Sequence, residues 1–223
     1  TTNGYLLEPE RIKPILDAGL DKINISIDGM SDRQFWEFTG VKVDFEKYVA
    51  NIRYLYENKG DCEICVKIAG DFLSKEEKER FYNTFGDYAD GIFIENVAPC
   101  WPEFDVKDSL GVDMAKGIYD QPIRDVNTCP YIFYLMSVNS DGSVSSCFLD
   151  WARKLLIVDV RKQSLKEIWE GEALFQYQID NLRGKRKENP VCGQCGQLSH
   201  CLPDNIDPYA EAIAKRLLAS RQG

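Results

Sequence analysis

The chain has 223 residues, with 36 acidic against 27 basic side chains and a formal net charge of −9 at pH 7. This excess of negative charge argues against broad binding to nucleic acid, because a phosphate backbone attracts basic proteins. No run of 18 apolar residues is present, so the sequence predicts no membrane span. The length suffices for one large domain or two small ones with a buried core.

The first half alternates strand patterns with helix patterns. Apolar and polar residues alternate in 21–28, and two further apolar stretches have strand character: 62–69 and 91–97. Helical spacing or capping residues predict helices between and before them: 9–18, 35–38 after Ser31, 44–58, and 74–88 with a Ser74–Glu77 capping box. Strand, helix, strand, helix, strand predicts a parallel α/β sheet.

The start of the chain suggests an incomplete sheet. The chain begins with Thr1 rather than Met, and TTNG has the character of the end of an earlier strand whose body is missing. A parallel sheet that stops there would expose an edge. We therefore expect a slice of a larger (β/α) barrel from a longer protein, in which chemistry takes place at the C-terminal ends of the strands.

The second half mixes short strands and helices. Residues 98–128 predict a long connection with one short helix, and 183–190 a basic, solvated loop. A β-hairpin is predicted from FYLMSV and SVSSC around Asp141-Gly142. The remaining predicted elements are a strand at 155–160, a helix opened by a Ser164–Glu167 capping box, and a final helix over 208–220.

Five of the eight cysteines have metal-ligand spacing: Cys129, Cys147, Cys192, Cys195 and Cys201. Their order is C-x17-C, a long gap, then C-x2-C-x5-C among turn-forming residues. Sets of four thiolates hold either zinc or an iron–sulfur cluster, and spacing alone leaves both open. Because no secretory signal pattern is present, the cysteines favour a reducing, cytoplasmic compartment.

Four segments carry a family resemblance: TNG at 2–4, INISIDG at 23–29, SVNSDGSVSSC at 137–147 with SLKEIW at 164–169, and CGQC at 192–195. Together they resemble a radical S-adenosylmethionine (radical SAM) enzyme with a SPASM/Twitch auxiliary iron–sulfur domain. The resemblance implies a partial (β/α) barrel over residues 1–125. A small α+β Twitch/SPASM-like domain with a β-hairpin and a C-terminal helix would occupy residues 126–223.

The sequence departs from this family in two ways. It contains neither the C-x3-C-x2-C motif, which binds the SAM-cleaving [4Fe–4S] cluster in the family, nor the GGE segment. The chain alone is therefore not expected to generate a radical, whereas the intact protein would bind SAM and that second cluster. It also lacks the later cysteines of a full SPASM pattern, so the one-cluster Twitch pattern applies.

The Twitch pattern implies four ligands for one auxiliary [4Fe–4S] cluster: Cys129, Cys147, Cys192 and Cys195. Cys201 would be a spare buried thiol or an alternative fourth ligand. In the parent enzymes such a cluster would accept an electron from a substrate radical or bind substrate.

The resemblance also implies contacts to SAM. It suggests that Asn3, Ser26, Asp28 and Lys67 face the ribose or methionine part of SAM. Asp28 could instead simply end its strand in a turn, and Lys67 could point outward from a half-exposed strand. Asp150 is the candidate general base; alternatively, its carboxylate braces the loop after Cys147 by accepting backbone N–H bonds.

These observations lead to two functional hypotheses. The first is the C-terminal portion of a cytoplasmic radical SAM oxidoreductase or modifying enzyme, acting on a peptide or a small metabolite. The second is a zinc-stabilised structural or partner-binding module without radical chemistry. Neither hypothesis involves nucleic acid or a membrane.

Overall fold

The computed structural model describes residues 1–101, 104–201 and 203–221. The chain divides into two compact units, Thr1–Val97 and Ala98–Gly223. The long connection predicted over 98–128 therefore lies in the second unit. The domain boundary after residue 125 stays a prediction.

The first unit is an α/β structure, as predicted. Within residues 1–97, all of which the structure describes, helices and strands follow in this order: α1 (Pro9–Asp17), β1 (Lys22–Ile27), α2 (Asp32–Thr39), α3 (Phe45–Asn58), β2 (Glu63–Ala69), α4 (Lys75–Phe85) and β3 (Gly91–Glu95). The three strands form a parallel sheet in the order β1-β2-β3. Each predicted strand and helix of this half is confirmed.

The two faces of this sheet differ because side chains alternate along a strand. One face is apolar and buried, and its residues are Ile23, Ile25 and Ile27 of β1 with Ile64, Val66 and Ile68 of β2. It packs into one core with buried helical side chains such as Ile52 and Phe81. The other face carries Ser26, Lys67 and Phe93 side by side in the parallel register.

Residues near the N-terminus lie beside β1. The Thr2 N–H donates to the Asn24 carbonyl at 2.8 Å, and the Ser26 N–H donates to the Thr2 carbonyl at 2.9 Å. Thr2 thus forms a parallel bridge with Ile25. Gly4 follows at φ +76°, with no room for a side chain, since an added Cβ would lie 2.8 Å from the Tyr48 hydroxyl oxygen.

Side-chain caps set the start of three helices in this unit. The Ser31 hydroxyl accepts the Gln34 N–H ahead of α2, and Asp44 accepts the Lys47 N–H ahead of α3. Ser74 and Glu77 form the predicted capping box of α4, in which each side chain bonds the other residue's backbone. Each cap satisfies an N–H group that has no partner within its own helix.

The second unit has short elements joined by turns. Within its described residues these are α5 (Val106–Leu110), β4 (Ser137–Val138), β5 (Ser143–Ser145), β6 (Leu156–Asp159), α6 (Leu165–Trp169), α7 (Glu172–Leu182), α8 (Gln197–His200) and α9 (Ala210–Ser220). β4 and β6 flank β5 as antiparallel neighbours. None of the helices in the described ranges combines the length and the apolar character needed to cross a membrane.

The β-hairpin is confirmed, but its first strand is much shorter than predicted. Only Ser137–Val138 is strand, and Tyr131–Phe133 forms a 3₁₀ turn. Pro130 starts this turn, because its carbonyl accepts the Phe133 N–H at 3.0 Å. Gly142, at φ +86°, occupies the predicted turn, a conformation that favours glycine.

The prediction of a solvated loop over 183–190 is wrong in one important respect. Lys185–Glu188 forms a 3₁₀ turn, and the Arg186 side chain within it is buried. The neighbouring Lys185 and Lys187 are exposed, in agreement with the predicted solvated loop. Arg186 can be buried because its guanidinium donates hydrogen bonds to backbone carbonyls at the candidate metal centre, which is described below.

We predict that Ser74→Ala lowers the free energy of unfolding by about 1 kcal/mol, because the substitution removes the side-chain acceptor of the α4 capping box. Urea denaturation followed by circular dichroism measures the effect. The matched control is Ser109→Ala, an exposed serine in α5, for which we expect a change within about 0.5 kcal/mol. Equal effects of the two substitutions would contradict the capping assignment.

Candidate metal centre

One cavity in the second unit is lined by four cysteines: Cys129, Cys147, Cys192 and Cys195. They come from three segments of irregular chain. Cys129 precedes the Tyr131–Phe133 turn, Cys147 follows β5, and a 3₁₀ turn over Cys192–Gln194 brings in the remaining two. The cavity volume is about 40 Å³, roughly three times the space that one water molecule needs.

Much of the remaining wall of the cavity is aliphatic. Ile132, Leu149, Leu155 and Leu198 contribute to it, and three of them are buried: Ile132, Leu155 and Leu198. Such a wall keeps water away from the sulfur atoms and lowers the local dielectric constant.

Burial has a direct effect on the thiols. It raises the pKa of Cys129 to about 12 and the pKa of Cys147 to about 11. Burial also raises the pKa of Cys192 and of Cys195, although the nearby positive charge of Arg186 opposes the increase at both. The charges of neighbouring thiols add to the effect of burial: Cys147 and Cys192 raise the pKa of Cys129, and Cys195 raises the pKa of Cys147 and of Cys192.

Two asparagine side chains hold the cysteine backbones in place. Asn181, buried on α7, accepts the Cys129 N–H at 2.7 Å. Asn189 accepts the N–H groups of Val191 at 3.0 Å and of Cys192 at 3.1 Å. These bonds fix the backbone at the first and third cysteines.

The phenol of Tyr177 lies beside the sulfur of Cys192. Its hydroxyl oxygen lies 3.8 Å from the Cys192 sulfur and accepts a hydrogen bond from Asn189 Nδ2 at 2.6 Å. Burial, followed by the charge of Cys192, raises the pKa of Tyr177, so the phenol stays protonated beside a thiolate. A protonated hydroxyl can donate to a thiolate sulfur, which favours the ligating form of the cysteine.

The buried guanidinium of Arg186 ties two of the ligand-bearing segments together. It donates to the carbonyls of Asn127 at 2.9 Å and Val126 at 3.3 Å, just before Cys129. It also donates to the carbonyl of Cys192. These hydrogen-bond acceptors are neutral carbonyls, while the positive charge of Arg186 acts to lower the pKa of Cys192, Cys195 and Asp207.

Across the three described ranges, no three side chains of the His, Cys, Asp or Glu type are close enough to share a single metal ion. The four cysteines line a common cavity without forming such a cluster within the described residues.

Asp150 lies in the loop after Cys147 and also lines the cavity. Its carboxylate accepts the Ser145 hydroxyl and the N–H groups of Lys154 at 2.8 Å and Leu155 at 2.7 Å. These contacts favour the bracing role. A general-base role stays a prediction.

Cys201, the alternative fourth ligand, is buried but does not line the cavity. Its sulfur lies 3.8 Å from the sulfur of Cys100, a residue that the sequence patterns did not single out. Of the two roles left open for Cys201, this position favours the one outside the ligand set.

The four residues predicted to contact SAM lie in the first unit. Ser26 and Lys67 are adjacent on neighbouring strands, and Lys67 forms an ion pair of 2.8 Å with Glu95 at the end of β3. Asp28, just after β1, accepts the Tyr5 hydroxyl, and burial together with this bond raises the pKa of Tyr5 to about 12. Asn3 is exposed.

Sequence reasoning missed four side chains at these sites: Asn181, Tyr177 and Arg186 at the cavity, and Glu95 at the sheet. Arg186 lies in a basic run that is typical of a solvated loop, and Asn181 lies in α7, a helix that the sequence analysis did not predict. Glu95 alone had a usable signal, because it ends a parallel strand, where functional side chains collect.

The parallel sheet places the first unit in the α/β class, and the cavity lined with four cysteines is the candidate metal site of the second unit. Residues 1–85 match the family model of the radical SAM superfamily, and residues 129–196 match the SPASM model, described as an iron–sulfur cluster-binding domain. The resemblance to radical SAM enzymes with an auxiliary cluster domain is therefore confirmed. These families imply [4Fe–4S] clusters and S-adenosylmethionine as cofactors.

Individual relatives are distant. The AdoMet-dependent heme synthase of Methanosarcina barkeri is 24% identical over 252 residues, covering 94% of this chain and 69% of that protein. The structure of Streptococcus suis SuiB bound to S-adenosylmethionine is 14% identical and covers 95% of this chain and 55% of that chain, with a TM-score of 0.52. Native anSMEcpe with bound AdoMet and a Kp18Cys peptide is 13% identical, covering 98% and 72%, with a TM-score of 0.39. At this identity the SuiB likeness shows the fold alone.

We predict that Arg186→Gln lowers the free energy of unfolding by about 3 kcal/mol, because the substitution leaves buried carbonyl groups without their charged donor. Arg186→Lys keeps the charge but not the planar fork, so we expect a smaller loss. Chemical denaturation of the purified variants measures both.

The matched control is Lys185→Gln, which alters the exposed neighbour of Arg186 in the same turn and should change stability by less than about 0.5 kcal/mol. If Arg186→Gln were as stable as this control, the guanidinium would not hold the segments together.

Proposed function

We propose that this chain is the C-terminal portion of a radical SAM oxidoreductase or modifying enzyme, and that its second unit binds an auxiliary [4Fe–4S] cluster through four cysteines: Cys129, Cys147, Cys192 and Cys195. One observation carries the proposal: all four line a single cavity within the region that matches the iron–sulfur cluster-binding family.

The surroundings of the cavity support an iron–sulfur cluster. Four cysteine thiolates are the usual ligands of a [4Fe–4S] centre, and such a centre with four thiolates carries net negative charge. The buried Arg186 supplies a compensating positive charge, and the aliphatic wall excludes water. When bound, a cluster of this kind supplies one-electron chemistry or a binding point for substrate, at a potential that hydrogen bonds to sulfur tune.

The proposal assigns SAM binding to the first unit. Asn3, Ser26, Asp28 and Lys67 stand at or near the C-terminal ends of parallel strands, where (β/α) folds place their chemistry. The sequence has no C-x3-C-x2-C motif. Hydrogen abstraction therefore requires a segment that supplies this motif, and the chain as printed is not competent for it alone.

We propose a peptide or a small metabolite as the substrate, in the cytoplasm, without nucleic acid or membrane as a partner. One relative is an AdoMet-dependent heme synthase, so a tetrapyrrole is the first small metabolite to test. An exposed aromatic surface in the second unit supports this choice. There Trp101 and Trp151 stack with ring centroids 5.1 Å apart and remain 40% and 63% exposed.

Anaerobic purification followed by metal analysis tests the cluster assignment. We expect a brown protein with about four iron and four sulfide per chain. A colourless protein with one zinc per chain would overturn it in favour of a zinc-stabilised module without radical chemistry.

We predict that Cys129→Ser and Cys192→Ser each lose bound iron and lower the melting temperature, because the metal joins segments that are far apart in sequence. Iron analysis and thermal denaturation check this. Cys62→Ser, at a buried cysteine of the first unit, is the control and should keep its iron. Full iron content in either ligand variant would count against the assignment.

We predict that an iron porphyrin quenches tryptophan fluorescence in a saturable manner, and that Trp151→Ala weakens the affinity about fivefold, as expected when one aromatic stacking contact is lost. The control is Trp36→Ala, which removes a tryptophan of the first unit that is 52% exposed. Unchanged affinity in Trp151→Ala would exclude the stacked pair as the contact surface.

A further inference from the structure

A second pair of cysteines lies close together in the second unit, outside the four that line the cavity. The sulfur atoms of Cys100 and Cys201 are 3.8 Å apart, although the residues are separated by 101 positions in sequence. Cys201 is buried, whereas Cys100 is partly exposed. Neither residue lines the four-cysteine cavity.

The backbone holds the two segments of this pair together. The Gly196 N–H donates to the Pro99 carbonyl at 3.0 Å, one residue before Cys100. An added Cβ at Gly196 would lie 2.5 Å from Pro99 Cγ and 2.6 Å from the Pro99 carbonyl oxygen, so the approach requires glycine. The short helix α8 then leads from this contact to Cys201.

The position of Cys201 is fixed from other sides as well. Its sulfur donates to Gln197 Oε1 at 3.3 Å, one helical turn earlier. The carbonyl of His200 accepts hydrogen bonds from the Ile118 N–H and from Gln121 Nε2, each at 2.8 Å. Several backbone and side-chain bonds thus hold the segment that carries Cys201 against its neighbours, including the segment that leads to Cys100.

We propose that Cys100 and Cys201 are a redox-active pair that forms a reversible disulfide with a low-molecular-weight disulfide, such as oxidised glutathione, as the oxidant. A disulfide bond is about 2.05 Å long, so the two sulfurs have to approach by about 1.8 Å from their separation of 3.8 Å. This inference does not depend on the proposed enzyme activity.

The exchange proceeds in two balanced steps. The thiolate of the accessible Cys100 attacks one sulfur of the small disulfide, which forms a mixed disulfide and releases one thiol. The Cys201 sulfur then attacks the Cys100 sulfur, which forms the protein disulfide and releases the second thiol. Two protein thiols lose two electrons, and their two protons pass to the two released thiols.

The resulting bond would lock the segment at Pro99 onto the segment at Gly196. The loop that it closes contains the four cysteines of the cavity, because these lie between positions 100 and 201. A disulfide here would therefore restrain the ligand-bearing segments covalently whether or not the metal is bound.

The test treats anaerobically purified protein with oxidised glutathione, blocks remaining thiols with iodoacetamide and maps cysteine peptides by mass spectrometry. We expect the loss of two alkylatable thiols and a peptide that links Cys100 to Cys201, both reversed by dithiothreitol. No linkage, or a linkage through other cysteines in place of this one, would overturn the proposal.

Two variants test the order of the steps. Cys201→Ser should stop at a mixed disulfide on Cys100, whereas Cys100→Ser should react little because Cys201 is buried. The control Cys62→Ser should form the same disulfide as the wild type. An equal amount of mixed disulfide in Cys100→Ser and Cys201→Ser would exclude Cys100 as the attacking thiol.

Iron content separates this inference from the proposed function. Cys100→Ser and Cys201→Ser should both retain the iron content of the wild type. If the wild type holds iron and Cys201→Ser loses it, Cys201 is a ligand and the redox pair is excluded. If the wild type holds no iron, the proposed cluster fails, and the disulfide test still stands by itself.

Discussion

The candidate metal centre places a buried positive charge and four partly buried thiols in one largely apolar pocket. Removal of an ion from water costs several kcal/mol unless the protein supplies partners. Arg186 finds carbonyl groups on two ligand-bearing segments, and its charge acts on Cys192 and Cys195. The same guanidinium thus organises the backbone and favours the thiolate form that binds metal.

In the first unit the two faces of the parallel sheet differ in polarity, because only one of them is apolar. The isoleucine-rich face is covered by helices, whereas the opposite face carries Ser26 and the Lys67–Glu95 ion pair. An ion pair with side chains 36% and 17% exposed is only partly screened by water. It therefore holds Lys67 in a defined position beside Ser26, as a binding surface requires.

Periodicity and capping made most of the first unit predictable. Ile23, Ile25 and Ile27 alternate with polar residues and so predict a strand. The Ser74–Glu77 capping box predicts the start of α4. These signals are local, because they arise from the geometry of one element. The resemblance to the Twitch pattern, and not spacing alone, selected from five candidate cysteines the four that line one cavity.

The errors have two physical origins, one in a local turn and one in contacts between distant residues. FYLMSV has the composition of a strand, but Pro130 starts a 3₁₀ turn in its first residues. Arg186 lies in a run of basic residues that is typical of a solvated loop, and only the carbonyls of 126, 127 and 192 make its burial favourable. No local sequence pattern predicts which backbone carbonyls accept these hydrogen bonds.

The two groups of cysteines show why spacing does not by itself decide the role of a thiol. Cys192 and Cys195 are joined by a single 3₁₀ turn, which directs both to the same cavity. Between Cys195 and Cys201 the chain inserts Gly196, packed against Pro99, and the one-turn helix α8. This insertion carries Cys201 to Cys100 and away from the cavity. The two cysteines of the C-x5-C interval therefore lie in different environments: Cys195 lines the cavity, and Cys201 lies beside Cys100. The close contact between Gly196 and Pro99 lies between them in the chain.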